Sequence, residues 1–249
     1  MKLLIDAGNT RIKFALTDGE DDLLAAYLPN DQAGELARHF ASHFGRRRAG
    51  FSSVQQVWVS NVAGEAVAQH IRAACAAHCW QPHFITAQEV QCGVRNGYAM
   101  SRQLGSDRWA ALIAAWHQMH AACLVVNCGT ATTVDALSAR GEFLGGLILP
   151  GVELMQRNLT TETAQLPPSS GEYANFPCNT ADAIFSGAIQ ASCGAVDRQY
   201  ALLEDASAQV LLSGGATEWL RPQLNLPLRM ADNLVLQGLL LIAQEVSES

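Results

Sequence analysis

Leu3-Leu4-Ile5-Asp6-Ala7-Gly8-Asn9 and Leu124-Val125-Val126-Asn127-Cys128-Gly129-Thr130 decide the fold, because the chain writes one plan twice at an offset of 121 residues. Each copy is a short apolar run, a polar residue, a small residue and a glycine turn. In the first copy Arg11 to Thr17 follows, with Ile12, Phe14 and Leu16 on one face, and Asp18-Gly19 marks the next turn. At the same offset Ala136-Leu137 falls on Ala15-Leu16, and the offset is close to half of 249 residues. Two copies of one strand–turn–strand unit are the simplest explanation.

Working outward, strands are expected at 23–28, 57–62 and 84–86, with helices over 31–45 and 65–79. A loop rich in Gly, Asn and Gln covers 91–106, and an apolar helix runs from Asp107 to about His120. The second half adds a strand from Phe143 to Leu149 and helices near 151–160 and 180–203, with a polar loop at 164–178 between them. It closes with strands at 209–212 and 228–230, the turn Ser213-Gly214-Gly215-Ala216 with a helix after it, and a C-terminal helix from about Asn233. Strands in hairpins followed by strand–helix alternation give an α/β fold, with mixed sheets flanked by helices. We place the domains at 1–105 and 106–249. No linker rich in Gly, Ser or Pro separates them, so the two halves are expected to share an interface and clamp a cleft.

The formal charge of −7 argues against a broad nucleic-acid face. Asp6 interrupts the first apolar run too early for an export signal, and no stretch has the roughly 20 apolar residues a membrane span takes. An odd number of cysteines, seven, fits reduced cytosolic thiols and a cytoplasmic protein. Cys75-x-x-x-Cys79 with His78 and His83 lies in an Ala-rich helical stretch with no second ligand pair, so it reads as buried thiols, not zinc. His117-x-x-His120, at the end of an apolar helix, reads the same way.

Lys2 and Lys13 are the only lysines, so no G-x-x-x-x-G-K-[ST] loop can be built; G-x-G-x-x-G and G-x-S-x-G are also missing. Phosphate chemistry is carried differently. In Asp6-Ala7-Gly8-Asn9-Thr10-Arg11-Ile12-Lys13 a glycine turn offers backbone N–H groups, Asn9 and Thr10 offer neutral donors, and Lys13 a charge. Asp6 suits a phosphate site where a divalent cation intervenes. Gly129-Thr130-Ala131-Thr132-Thr133 repeats the cradle with hydroxyls, and Gly214-Gly215 supplies a third close approach of backbone. Gly105-Ser106-Asp107-Arg108 opens the helix at 107. Ser106 reads as its cap and Asp107 as a first-turn acid that favours the dipole. The same Asp107 can serve as general base toward an attacking hydroxyl, with Arg108 binding an anionic group.

Asp6-x-Gly-Asn-Thr with Lys13, Gly105-x-Asp107-Arg108, Gly129-Thr-Ala-Thr-Thr and Ser213-Gly-Gly-Ala, in this order over the whole chain, resemble the type III pantothenate kinases. Gly145-Gly146 with Pro150-Gly151, and Asn179-Thr180 ahead of an apolar helix, add to the resemblance. It implies the superfamily of acetate and sugar kinases and actin, with two duplicated ribonuclease-H-like domains. It implies ATP-dependent phosphorylation of the primary hydroxyl of pantothenate, the first step of coenzyme A synthesis, in a homodimer. By motif, Asp6 to Lys13 and Thr130 would bind ATP, with magnesium at Asp6. Tyr98, Gly105, Ser106, Asp107, Arg108 and Thr180 would bind pantothenate, Thr180 reaching the neighbouring subunit's site, and Asp107 would be the base. Many members carry aspartate where this chain has Asn127, and that carboxylate binds potassium or ammonium. Asn127 lacks the charge, so weakened or absent cation dependence is expected. Two alternatives stay open at this point: a kinase of the superfamily acting on another small alcohol, and a non-catalytic regulator that keeps the fold.

Overall fold

The computed structural model describes residues 1–18, 23–44, 54–162 and 171–248. Gly19 of the expected turn, and residues 164–170 of the expected loop at 164–178, lie outside the described residues. The chain divides into two compact units, Met1–Ala114 with Asn233–Ser249, and Ala115–Asp232.

In the first unit β1 (Lys2–Ala7), β2 (Arg11–Thr17) and β3 (Leu24–Pro29) form an antiparallel meander. β4 (Gln56–Asn61) and β5 (Pro82–Phe84) extend β1 in parallel, giving the order β3-β2-β1-β4-β5. Strand alternation sorts the side chains between the two faces. Leu3, Ile5, Phe14, Val57 and Val59 join Leu36, Phe40 and Phe44 of α1 (Leu36–Phe44) and Ile71 of α2 (Glu65–Ala76) in one core. The expected helix at 31–45 starts as a 3-10 turn over Asn30–Glu35, and the helix begun at Glu65 ends three residues sooner than expected, at Ala76. Cys75 is buried as expected, while Cys79 is exposed beyond the helix end. No cluster of three or more His, Cys, Asp or Glu able to hold a metal occurs among the described residues.

The opposite sheet face carries Leu4, Asp6, Trp58 and Ser60, and the C-terminal helix α7 (Leu234–Glu248) packs on β1 and β4. The segment expected as loop at 91–106 contains a hairpin, β6 (Val90–Gln91) and β7 (Val94–Asn96), and a 3-10 turn at Ser101–Gln103. Its turn residues Cys92 and Gly93 both have positive φ, 48° and 77°, as a two-residue hairpin turn of the primed type requires. α3 (Ser106–Met119) follows, and it is buried all round from Arg108 to Ala115.

The second unit repeats the first. β8 (Cys123–Cys128), β9 (Ala131–Leu137) and β10 (Glu142–Pro150) are antiparallel, and β11 (Gln209–Ser213) and β12 (Leu228–Met230) continue β8 in parallel. The order β10-β9-β8-β11-β12 is that of the first sheet. Leu124, Val126 and Cys128 pack with Val152 of α4 (Val152–Glu162) and with Ala188, Ile189, Cys193 and Val196 of α5 (Thr180–Leu203). A four-residue helix, α6 (Thr217–Leu220), follows β11. The fold is that of a duplicated ribonuclease-H-like, actin-like ATPase. No helix among the described residues is long and apolar enough to cross a membrane.

The repeat is not uniform. The first turn has three residues between its strands and the second has two, so Asp6 faces Lys13 whereas Asn127 faces Thr133. The offset of 121 therefore holds along the first strand and slips by one on the second. Ala136, not Leu137, takes the place of Leu16, because it sits opposite Leu124 as Leu16 sits opposite Leu3.

Candidate active site

Register places the first charged group. Asp6 lies between Lys13 on β2 and Ser60 on β4, all three on the sheet face away from α1 and α2. Burial pushes the Asp6 carboxyl up to about 7, and the nearby Asp107 carboxylate adds to the rise against the opposing charges of Lys13 and Arg11. Ala7 and Ile12 are fully buried strand residues that anchor the turn, whereas Asn9, Thr10 and Arg11 are exposed. The Gly8 N–H donates to the Arg11 carbonyl across 3.1 Å, and Asn30 Nδ2 donates to the Gly8 carbonyl across 2.7 Å. Gly8 itself has negative φ and room for a methyl group, so the turn is marked by its exposed Asn9, Thr10 and Arg11 and not by an unusual glycine conformation.

Ser60 is fully buried, and its hydroxyl meets that of Ser106 at 2.9 Å. Ser106 therefore does not cap α3 as expected. Its hydroxyl is committed to the sheet, and the Gly105 carbonyl accepts the first helical bond, from Trp109 N–H at 2.9 Å. This buried hydroxyl pair ties the start of α3 to the strand beside Asp6. It brings Asp107 near Asp6, and nothing in the sequence around Ser60 marks it.

The Asp107 carboxylate accepts the Arg108 N–H across 2.8 Å. Its pKa is raised by burial, with the Arg108 N–H and guanidinium pulling the other way. Gly105 makes room for it: a Cβ there would stand 2.6 Å from Asp107 Oδ1. Arg108 is 6% exposed, and its Nη1 donates to the Tyr98 hydroxyl across 3.2 Å. Asp6, Lys13, Tyr98, Gly105, Ser106, Asp107 and Arg108 are thus gathered within the first unit.

In the second unit the turn Gly129-Thr130 is exposed, with Gly129 N–H donating to the Ala131 carbonyl across 3.1 Å. Gly151 N–H donates to the Thr130 carbonyl across 2.9 Å, which fixes that turn from behind. Gly214 has φ +103°, and a Cβ on it would run into the Cys128 carbonyl. Only glycine lets the 213–216 turn lie against the end of β8. Asn127 sits beside Ser213 and Thr133 in the sheet, a neutral group of oxygens. Thr180 opens α5 behind Asn179, whose side chain accepts the Asp182 N–H at 3.0 Å. It is exposed on the rim of a cavity of about 760 Å³ lined also by Met155, Leu159 and Ile184.

A family model for type III pantothenate kinase matches residues 2–202. The chain belongs to that family. It is 45% identical over 250 residues to the type III pantothenate kinase of Nitrosospira multiformis, covering 99% of this chain and 92% of that one. It is 47% identical over 246 residues to that of Aromatoleum aromaticum, covering 98% of each. Solved structures share the fold at lower identity. A Campylobacter jejuni protein classed with the Baf family of transcriptional activators superposes with a TM-score of 0.60 at 23% identity, over 99% of this chain and 100% of that one. A Sinorhizobium meliloti protein assigned as a 2-dehydro-3-deoxygalactonokinase gives 0.58 at 14%, over 99% of both.

Proposed function

We propose that this type III pantothenate kinase transfers the γ-phosphoryl group of ATP to the primary hydroxyl of pantothenate, giving 4'-phosphopantothenate in the first step of coenzyme A biosynthesis. The observation that carries the reading is Asp107, a desolvated carboxylate next to the Arg108–Tyr98 pair. Arg108 pairs with the substrate carboxylate through its planar fork, and Tyr98 orients it. Asp107 accepts the hydroxyl proton as that oxygen bonds to the γ-phosphorus, and the bond to the bridging oxygen of ADP breaks. Its raised pKa makes it a better base than a solvated aspartate.

Asp6 to Lys13 hold the phosphates, with Lys13 countering their charge, and Gly129, Thr130, Gly214 and Gly215 contribute to nucleotide binding. A magnesium ion fits Asp6, because one carboxylate plus phosphate oxygens is a usual way to hold it; the ion neutralises phosphate charge when bound. We take the enzyme to be a cytoplasmic homodimer, with Thr180 serving the partner's site and no role for nucleic acid or membrane. Asn127 leaves the monovalent-cation position neutral.

The test is an assay with ATP, magnesium and a panel of pantothenate, sugars and polyols. Pantothenate alone should turn over, at the same rate in sodium or potassium buffer. Asp107→Asn should lower kcat about a hundredfold or more with the fold intact. Turnover of a sugar and none of pantothenate would overturn the assignment. Strong stimulation by potassium would overturn only the neutral reading of Asn127.

A further inference from the structure

Tyr98 and Arg108 stand ten residues apart in sequence, in a stretch with little regular structure, yet their side chains meet. The hairpin before Tyr98 accounts for this. Its turn is held to α7, where Glu245 accepts the Cys92 N–H across 2.7 Å. Its first strand is held to α3, where the fully buried Trp109 donates its indole N–H to Gln91 Oε1 across 3.0 Å. Asn96 governs the chain's exit from the hairpin. Its backbone N–H donates to the Glu89 carbonyl at 2.9 Å, closing the hairpin. Its side-chain oxygen accepts the Tyr98 N–H at 3.0 Å, and its Nδ2 donates to the Ser101 carbonyl at 3.2 Å.

One half-buried amide thus folds the chain back between 96 and 101, and Tyr98 is the residue this turn presents. The tyrosine hydroxyl reaches Arg108 Nη1, and the guanidinium carbon lies 5.9 Å from the ring centroid. An asparagine here is specific in chemistry: it supplies an acceptor and a donor to two backbone groups at once.

We propose that Asn96 is a positioning residue for substrate selection, acting through Tyr98 to aim the Arg108 guanidinium at the carboxylate end of the substrate. The inference rests on the pantothenate reading above and adds to it a specificity determinant that touches no substrate atom. Because the Asn96 hydrogen bonds go to Glu89, Tyr98 and Ser101, and not to Asp107 or the turn at 8–10, its loss should act on one substrate only.

The experiment is a steady-state comparison of Asn96→Ala and Asn96→Asp with the unaltered chain, using ATP, pantothenate and an analogue with a neutral carboxamide in place of the carboxylate. Asn96→Ala should raise KM for pantothenate about tenfold, the scale of one lost hydrogen bond in a closed site. KM for ATP and kcat should stay within about twofold, and the preference for carboxylate over carboxamide should collapse. Asn96→Asp keeps the acceptor for the Tyr98 N–H and should recover most of that preference. An unchanged preference in Asn96→Ala, or an equal rise in both KM values, overturns the inference. Should Asn96→Ala fail to fold, Asn96→Ser replaces it, because its single short hydroxyl cannot serve both the Tyr98 N–H and the Ser101 carbonyl, and the same loss of preference is required. Absence of pantothenate turnover in the unaltered chain would remove the proposed function itself, a separate outcome.

Discussion

At the residue scale, the informative position is Gly105. Its φ is not in the left-handed region, so alanine is allowed by the backbone there; what alanine meets is Asp107 Oδ1, 2.6 Å from the added carbon. That atom ends a side chain and can turn away at the cost of its bond from the Arg108 N–H, so the fold should tolerate the change while the carboxylate is displaced. Gly105→Ala should keep its melting temperature within a few degrees and lose about tenfold or more in kcat, as misplacement of a reacting group by a fraction of an ångström can cause. A full kcat would show that the Asp107 position seen here does not matter to the reaction. The motif Gly105-x-Asp107-Arg108 is legible in sequence. Its dependence on Ser60 is not, because a serine within an apolar strand reads as filler until the neighbouring strand and α3 are in place.

At the scale of elements, α3 and α7 meet so closely that Gly238 faces the Ala110 carbonyl, and a Cβ there would occupy the same space. Helix propensity and packing then oppose each other. Glycine inside a helix costs about 0.5–1 kcal/mol relative to alanine, so an uncrowded Gly238→Ala would stabilise. Backbone atoms cannot yield as a side chain can, and overpacking costs about 1–3 kcal/mol. Packing wins, so Gly238→Ala should lower the urea midpoint at unchanged slope. A raised midpoint would show that the two helices are not held this close. The hairpin of β6 and β7 was illegible for a related reason. Its strands are two and three residues long, below the length at which alternation can be read, and its turn is Cys92-Gly93 in place of the common Asn-Gly.

At the scale of the whole molecule, the duplication explains an energetic asymmetry. The first copy places a carboxylate where the second has Asn127, and the folded protein holds the Asp6 proton until about 7 while an unfolded aspartate releases it near 3.8. Between those values the folded state binds more protons, so stability falls as pH rises through that window. In metal- and nucleotide-free buffer Asp6→Asn should therefore melt higher than the parent at pH 8, with the gap closing toward pH 4, and it should be inactive. Melting curves across that range check this. A gap that widens on acidification would reverse the sign and mean that Asp6 is stabilised as the anion.

The sequence by itself determined the duplicated hairpins, the α/β class, the absence of a lysine-bearing phosphate loop and the motif residues of both copies. These follow from alternation, glycine turns and composition, which are local and repeat at fixed spacing. Only the tertiary structure decided that α7 covers the sheet of the first unit, that Ser60 anchors α3, and that Asn96 delivers Tyr98 to Arg108. The first two join distant residues through packing or one long-range hydrogen bond, and the third combines several short-range bonds whose geometry the hairpin sets. Such partners are chosen by the shape of the folded chain, and no spacing in the sequence records them.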